Sequence, residues 1–240
     1  TTTTLERARV RSEARFDYAQ VQTLIDSGTA PDKVALLKEI GQRRVLLELE
    51  RSGASLGRPD QEVQEKDGRY VLVRRRPVEA EDWNAQISLM TGMAGATIMI
   101  DGGVGILRTM PDPSDESITW FRRRAAALGT SWPESMEYGA YLRTLNSADP
   151  KQLAILHAAA SLFRGAAYTA FDGTVPEDTI QSAVGAPYAH ATAPLRRLVD
   201  RFVLVVCDAL ANGREVPDWA RVAVLDLPPI MAKSDSLAGQ

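Results

Sequence analysis

Apolar positions in this chain recur mostly every three or four residues, with only a few short runs alternating at a period of two. Val21, Leu24 and Ile25 predict a short amphipathic helix ended by Gly28. Pro31 opens a longer helix to about Arg51, with Val34, Leu37, Ile40 and Leu47 turned inward. Residues 61–76 alternate instead, as two strand-like runs around Asp67-Gly68, which is a β-hairpin signature. Glu81 and Asp82 head the next helix, whose stripe is Trp83, Ile87, Met90, Ala94 and Ile98. Gly92 and Gly95 within it permit close backbone approach, most simply of another helix. The stretch 101–105 (DGGVG) reads as a turn, and 106–109 as a short buried strand.

Helices follow over 115–128, 133–145 and 150–164, then an extended run at 167–171 and a loop. Thr192 and Pro194 announce a further helix, because proline fits a first turn whose N–H groups lack partners anyway. Its stripe is Leu195, Leu198, Val199, Phe202, Val206 and Leu210. A short amphipathic piece near 217–224 and a polar end beyond Met231 complete the chain. The pattern predicts an α+β fold, mostly helical with a small mixed or antiparallel sheet. Trp83 and Trp132 read as core.

With 240 residues, 45% of them apolar, the chain has material for a sizeable core. A formal charge of −3 argues against indiscriminate binding of nucleic acid, but leaves room for a local basic groove. Arginine greatly outnumbers lysine, a usage that follows from genomic base composition as well as from phosphate recognition. The single Cys207 excludes an intrachain disulfide and reads as a buried small hydrophobe. No signal peptide heads the sequence, so a reducing, cytoplasmic setting is expected. The longest apolar run, around 87–100, is broken by Thr91, Gly92 and Gly95 and falls short of a membrane span. His157, His190 and one distant cysteine offer no zinc-ligand spacing. The opening threonine run has no methionine, so a cut edge and a native start both stand.

One feature is left over by the hydrophobic pattern. Arg196 and Arg197 fall in the predicted first turn of the Pro194 helix, where the dipole disfavours cations. Free N–H groups and guanidinium forks at one helix end make a place to hold an anion, most naturally a phosphate. The competing reading is an ordinary ion pair, since Asp200 stands three residues from Arg197 and four from Arg196. Two arginines against one carboxylate still leave a positive surplus.

The stretch YAHATAPLRRLVD (188–200) closely resembles the YAHxTSPIRRYxDL signature of the RNB domain, found in the ribonuclease II / RNase R superfamily. Tyr188, Ala189, His190, Thr192, Pro194, Arg196, Arg197 and Asp200 match, while Ala193 replaces the usual Ser and Leu198 the usual Tyr. ARFDYAQVQ (14–22) resembles the family's AxLxYxxV segment. VEAEDWNAQISLMTGMAGA (78–96) is similar to its EExMxxAN helix, with Gln86 near the expected Asn, and GILRTMP (105–111) to its hydrophobic-Arg strand.

That resemblance implies hydrolytic 3′→5′ degradation of single-stranded RNA with Mg²⁺, releasing nucleoside 5′-monophosphates. It places the phosphate grip on Arg196 and a contact to the 3′-terminal nucleotides on Tyr18. The family glutamate falls on Glu79 by an ungapped match and on Glu81 by the helix start; Glu81 is carried forward. Arg197, Arg108, Thr192 and Tyr188 are the expected RNA-binding residues around the motif. Tyr168 and Tyr188 are expected to pack beneath it, and His190 to act as a structural hydrogen-bonder.

The family's Mg²⁺ ligands form an aspartate cluster upstream of the AxLxY segment, and no comparable motif occurs in this sequence. The chain therefore resembles the C-terminal two-thirds or so of an RNB domain over 1–240, assigns no metal ligand, and implies a missing N-terminal segment as partner. Three readings stay open: one piece of a larger exoribonuclease, a degenerate module binding RNA ends without cutting, or a helical interaction scaffold.

Overall fold

In the computed structural model, residues 2–57, 59–75 and 77–238 are described. Arg76, the end of the predicted hairpin, and Thr1 of the threonine run lie outside them. The chain divides into two compact units. The first comprises Thr1–Arg15, Ile87–Pro111 and Gly165–Gln240, the second Phe16–Gln86 and Asp112–Arg164. The α+β expectation holds, but among the described residues the sheet is three two-stranded antiparallel ladders rather than one.

The second unit begins with α1 (Tyr18–Asp26), whose Asp17 cap and Gln20 close a reciprocal capping box. Helix α2 (Asp32–Glu50) follows. Its inward face keeps only part of the predicted stripe: Val34 and Leu37 pack against Val21, Ala80 and Trp83, whereas Ile40 and Leu47 are exposed and Gly41 and Glu48 are buried. Gly41 is obligatory there, since a Cβ would come within 2.3 Å of the Trp83 Cβ. Glu48 is 1% exposed because it enters a polar network instead of water. It accepts from Ser55 Oγ (2.7 Å), Gln86 Nε2 (2.5 Å) and Arg143 Nη2 (2.6 Å).

Strands β1 (Asp60–Lys66) and β2 (Arg69–Arg75) form the predicted hairpin, with Asp67 and Gly68 both at positive φ. Helix α3 (Glu79–Asp101) starts slightly earlier in sequence than Glu81 and Asp82 suggest. It contributes Ala80 and Trp83 to a small core cluster with Val21 in this unit. Helix α4 (Asp115–Ala127) matches its prediction and is capped by Ser114. Helix α5 is only Tyr138–Thr144, and α6 (Pro150–Ala159) ends in a 3₁₀ turn at Ala160–Leu162. Phe121, Tyr141, Ile155 and Leu156 make the main core of this unit, with Trp132 packed at its side.

The first unit is built on the later part of α3. Its buried positions are Gly92, Gly95, Ala96 and Met99 rather than Ile87, Met90, Ala94 and Ile98, because the glycines accept close neighbours. Gly95 faces a helix, where Cys207 Sγ lies 3.5 Å from its carbonyl oxygen. Gly92 faces extended chain instead: a Cβ there would meet the Tyr188 ring at 2.2 Å and the Ala189 oxygen at 2.4 Å. After Gly103 (φ +68°), β3 (Val104–Thr109) pairs antiparallel with β4 (Ala167–Asp172). Two further strands, β5 (Ile180–Gln181) and β6 (Ala186–Pro187), were hidden in the predicted loop.

Helix α7 starts later than expected, at Leu198–Ala211, and α8 is one long helix, Asp218–Ala238, in place of a short piece and a polar end. Pro228 and Pro229 argue against such a helix by sequence. The burial of Ala220, Val224, Leu227 and Met231 at helical spacing against the core outweighs the two missing N–H donors. Val199, Val203, Val206 and Cys207 of α7 complete this core. Burial pushes the Cys207 thiol up to about 12, which keeps it protonated and inert.

Candidate functional site

The segment 188–200 of the first unit is extended through His190, turns at 194–196 and enters α7 at Leu198. Leu195 and Leu198 are therefore not core residues; Leu195 is 94% exposed. Arg196 and Arg197 lie just before the helix, not in its first turn, and Arg197 is the N-cap residue with extended backbone (φ −121°, ψ 124°). Asp200 sets this geometry. It is fully buried, accepts from the Ala193 N–H at 2.7 Å, and binds Arg197 through Nε and Nη2 at 2.9 Å each. Such a two-pronged, charge-assisted contact fixes both partners.

The consequence is a division of labour between the arginines. Arg197 neutralises Asp200, with Arg201 Nε donating to the Pro194 oxygen at 2.8 Å to tie the turn to the helix. Arg196 is exposed and has no side-chain partner among the described residues. No side chain caps the first N–H groups of α7. An unpaired guanidinium beside an uncapped helix start is chemically suited to an anion. Thr192 is exposed on the same segment.

A second group of side chains stands on β3, β4 and the extended part of the motif. The Arg108 guanidinium lies 4.4 Å from the Tyr168 ring centre, and the Tyr168 hydroxyl is 2.7 Å from His190 Nδ1. Arg108 also reaches Asp235 at 3.4 Å, too long for a strong ion pair, so its main contact is with the ring. Burial, with Arg197 and Arg108 nearby, lowers the His190 pKa to about 4, so its ring is neutral at pH 7 and can accept a hydrogen bond. Tyr188 is 9% exposed, packed with Val184, Ala186, Leu89 and Met93, and meets His190 edge-on. It supports the motif from beneath and offers no stacking face. The Tyr168–His190 pairing was not readable as such in the sequence, since the two residues are 22 apart.

The remaining predicted residues belong to the second unit. Tyr18 is 44% exposed, and its hydroxyl accepts from Asn84 Nδ2 at 3.0 Å, which fixes an open ring. Glu81 is engaged rather than free: Arg75 holds it through Nη1 and Nη2, and the Val78 N–H donates to it at 3.0 Å. The Arg75 hydrogen bond, with that N–H, holds the Glu81 carboxyl below its usual range despite partial burial. Glu79 is exposed. Gln86 lies in the buried Glu48 network and not at a surface. Among the described residues no group of three or more His, Cys, Asp or Glu is placed to hold a metal ion, so the side chains present do not fit Mg²⁺. No described helix is long and apolar enough to cross a membrane.

No protein-family model matches the sequence, and no curated protein matches it. Solved structures do. RNase R of Mycoplasma genitalium, in complex with ribose-methylated single-stranded RNA, superposes with a TM-score of 0.67 at 16% identity, over 88% of this chain and 35% of that one. Yeast Ssd1, a pseudonuclease, gives 0.63 at 16% identity over 87% and 26%. The Dss1 exoribonuclease of Candida glabrata gives 0.58 at 12% identity over 91% and 28%. The chain spans about a third or less of the length of these proteins. Their shared fold is that of the RNB domain, and this chain has it.

Proposed function

We propose that this chain grips single-stranded RNA by a backbone phosphate at Arg196, and that in the intact protein the grip serves 3′→5′ hydrolysis releasing nucleoside 5′-monophosphates. The observation that carries the reading is the exposed Arg196, without a side-chain partner among the described residues, held at the start of α7 while Asp200 is satisfied by Arg197 and Ala193. Arg197 shapes the turn, and Thr192 and Arg108 flank the strand. Tyr18 offers its open ring to a base near the 3′ end, in the way single-strand binders stack bases. Glu81, positioned by Arg75, stands for the terminal ribose contact. The likeness to RNase R, solved with RNA bound, supports RNA as ligand.

Mg²⁺ is the metal such hydrolysis would use, with ligands on an N-terminal segment of the same domain that this chain does not contain. The alternative is an RNA-end binder that does not cut. It is favoured by the lack of a metal-binding carboxylate group among the described residues, and Ssd1 shows that the fold occurs in a pseudonuclease. The test is Mg²⁺-dependent exonuclease activity of the full-length parent beside its Arg196→Ala variant. Activity that falls in the variant supports the hydrolytic reading. RNA binding without cleavage selects the alternative, and full activity in the variant removes Arg196 from the mechanism.

A further inference from the structure

We propose a second nucleotide contact in the second unit, centred on Trp120, which takes one base and an adjacent phosphate of single-stranded RNA. It rests on the RNA reading above but on different residues. Helix α4 buries Phe121 and Ala125 completely, so the core does not need the neighbouring Trp120, which is 47% exposed. Glu116, Ser117, Trp120, Ser161 and Arg164 line a hollow of about 280 Å³. That is close to the roughly 300 Å³ at which small-molecule pockets begin, and suits one flat base.

The chemistry around the ring selects the ligand. The Arg124 guanidinium lies 5.3 Å from the Trp120 ring centre. Arg123 and Arg164 are exposed, with no ion pair among the described residues. Glu116 is the sole acid lining the hollow, so this surface is locally positive on a chain of formal charge −3. An exposed indole flanked by guanidinium groups matches a base for stacking and a phosphate for charge. Ser117 and Ser161 add hydroxyls at the rim; Ser161 donates to the Ala158 oxygen at 2.7 Å, which leaves its lone pairs for a base amino group or a ribose 2′-hydroxyl. An acidic peptide would satisfy the arginines and leave the indole in water.

A single-stranded oligouridylate carrying 4-thiouridine, irradiated on the full chain and mapped by peptide mass, should crosslink to peptides bearing Trp120 or Arg164. Trp120→Ala should weaken binding of this probe about tenfold, as for loss of one base–aromatic stack. Trp120→Tyr should restore most of it, and Arg164→Ala should lower the salt dependence. Unchanged affinity in Trp120→Ala while Arg196→Ala binds weakly overturns this contact and leaves the Arg196 reading standing. Equal losses in Trp120→Ala and Trp120→Tyr, absent crosslinks at both peptides, or displacement of the probe by polyglutamate at matched ionic strength also overturn it. An unmodified chain without RNA affinity sinks both.

Discussion

Asp200 and Glu48 are both buried carboxylates, 0% and 1% exposed, and both are held by an arginine, yet they do different things. Asp200 draws its partners from within seven residues: Arg197 and the Ala193 N–H. It folds a local turn, and that turn leaves Arg196 outside for a ligand. Glu48 collects partners from far away, Gln86 at a separation of 38 and Arg143 at 95. It ties α2, α3 and α5 together and presents nothing to solvent. A buried ion pair thus shapes a site when its partners are local and holds a unit together when they are distant.

The largest effect is expected from Arg143→Ala, which takes away the arginine that donates to buried Glu48 at 2.6 Å. Breaking one side of a buried pair costs about 3–5 kcal/mol, and urea unfolding should show a loss in that range with RNA affinity unaffected in the fraction still folded. A loss below about 1 kcal/mol would show that the Arg143–Glu48 pair does not hold this unit together. Asp200→Asn should cost less, about 1.5–3 kcal/mol, because the amide oxygen can still accept from Ala193 while the charged bonds to Arg197 are gone. Unlike Arg143→Ala, it should also weaken RNA binding, because the turn that presents Arg196 loosens.

A third expectation separates the two units by pH. The His190 pKa falls from its ordinary 6.5 to about 4 in the fold. The unfolded chain therefore binds the extra proton first, so the stability from neutral His190 is full above pH 6.5 and drains away as pH falls towards 4. Glu81, whose carboxyl is held below its usual range by Arg75, loses its contribution only at still lower pH. Thermal melts should show the difference between the unmodified chain and His190→Gln shrinking between pH 6.5 and 4.5. A constant difference would show that His190 is not buried as a neutral ring.

Much of this was readable in the sequence where the cause is local. Asp67-Gly68 announced the hairpin, and the Arg196-Arg197-Asp200 spacing an ion pair with a cation left over. What sequence missed has a non-local cause. The inward face of α2 follows Gly41 beneath Trp83 and Glu48 beneath Arg143, contacts that its own apolar spacing does not encode. The short piece read near 217–224 stops before Pro228 and Pro229, and the packing of Leu227 and Met231 against the core carries α8 through them. The late start of α7 comes from Asp200 reaching back to Ala193, which a stripe beginning at Leu195 conceals.

Arg196→Ala has the smallest effect on stability, within about 0.5 kcal/mol for an exposed side chain without partners, and tests the account most directly. The measurement is the affinity of the full chain for a labelled single-stranded RNA over a range of salt concentrations. Loss of one phosphate contact predicts weaker binding to all sequences alike, with the slope of log K against log salt falling by about 0.7. An unchanged slope and affinity would contradict the claim that this turn exists to present a phosphate grip.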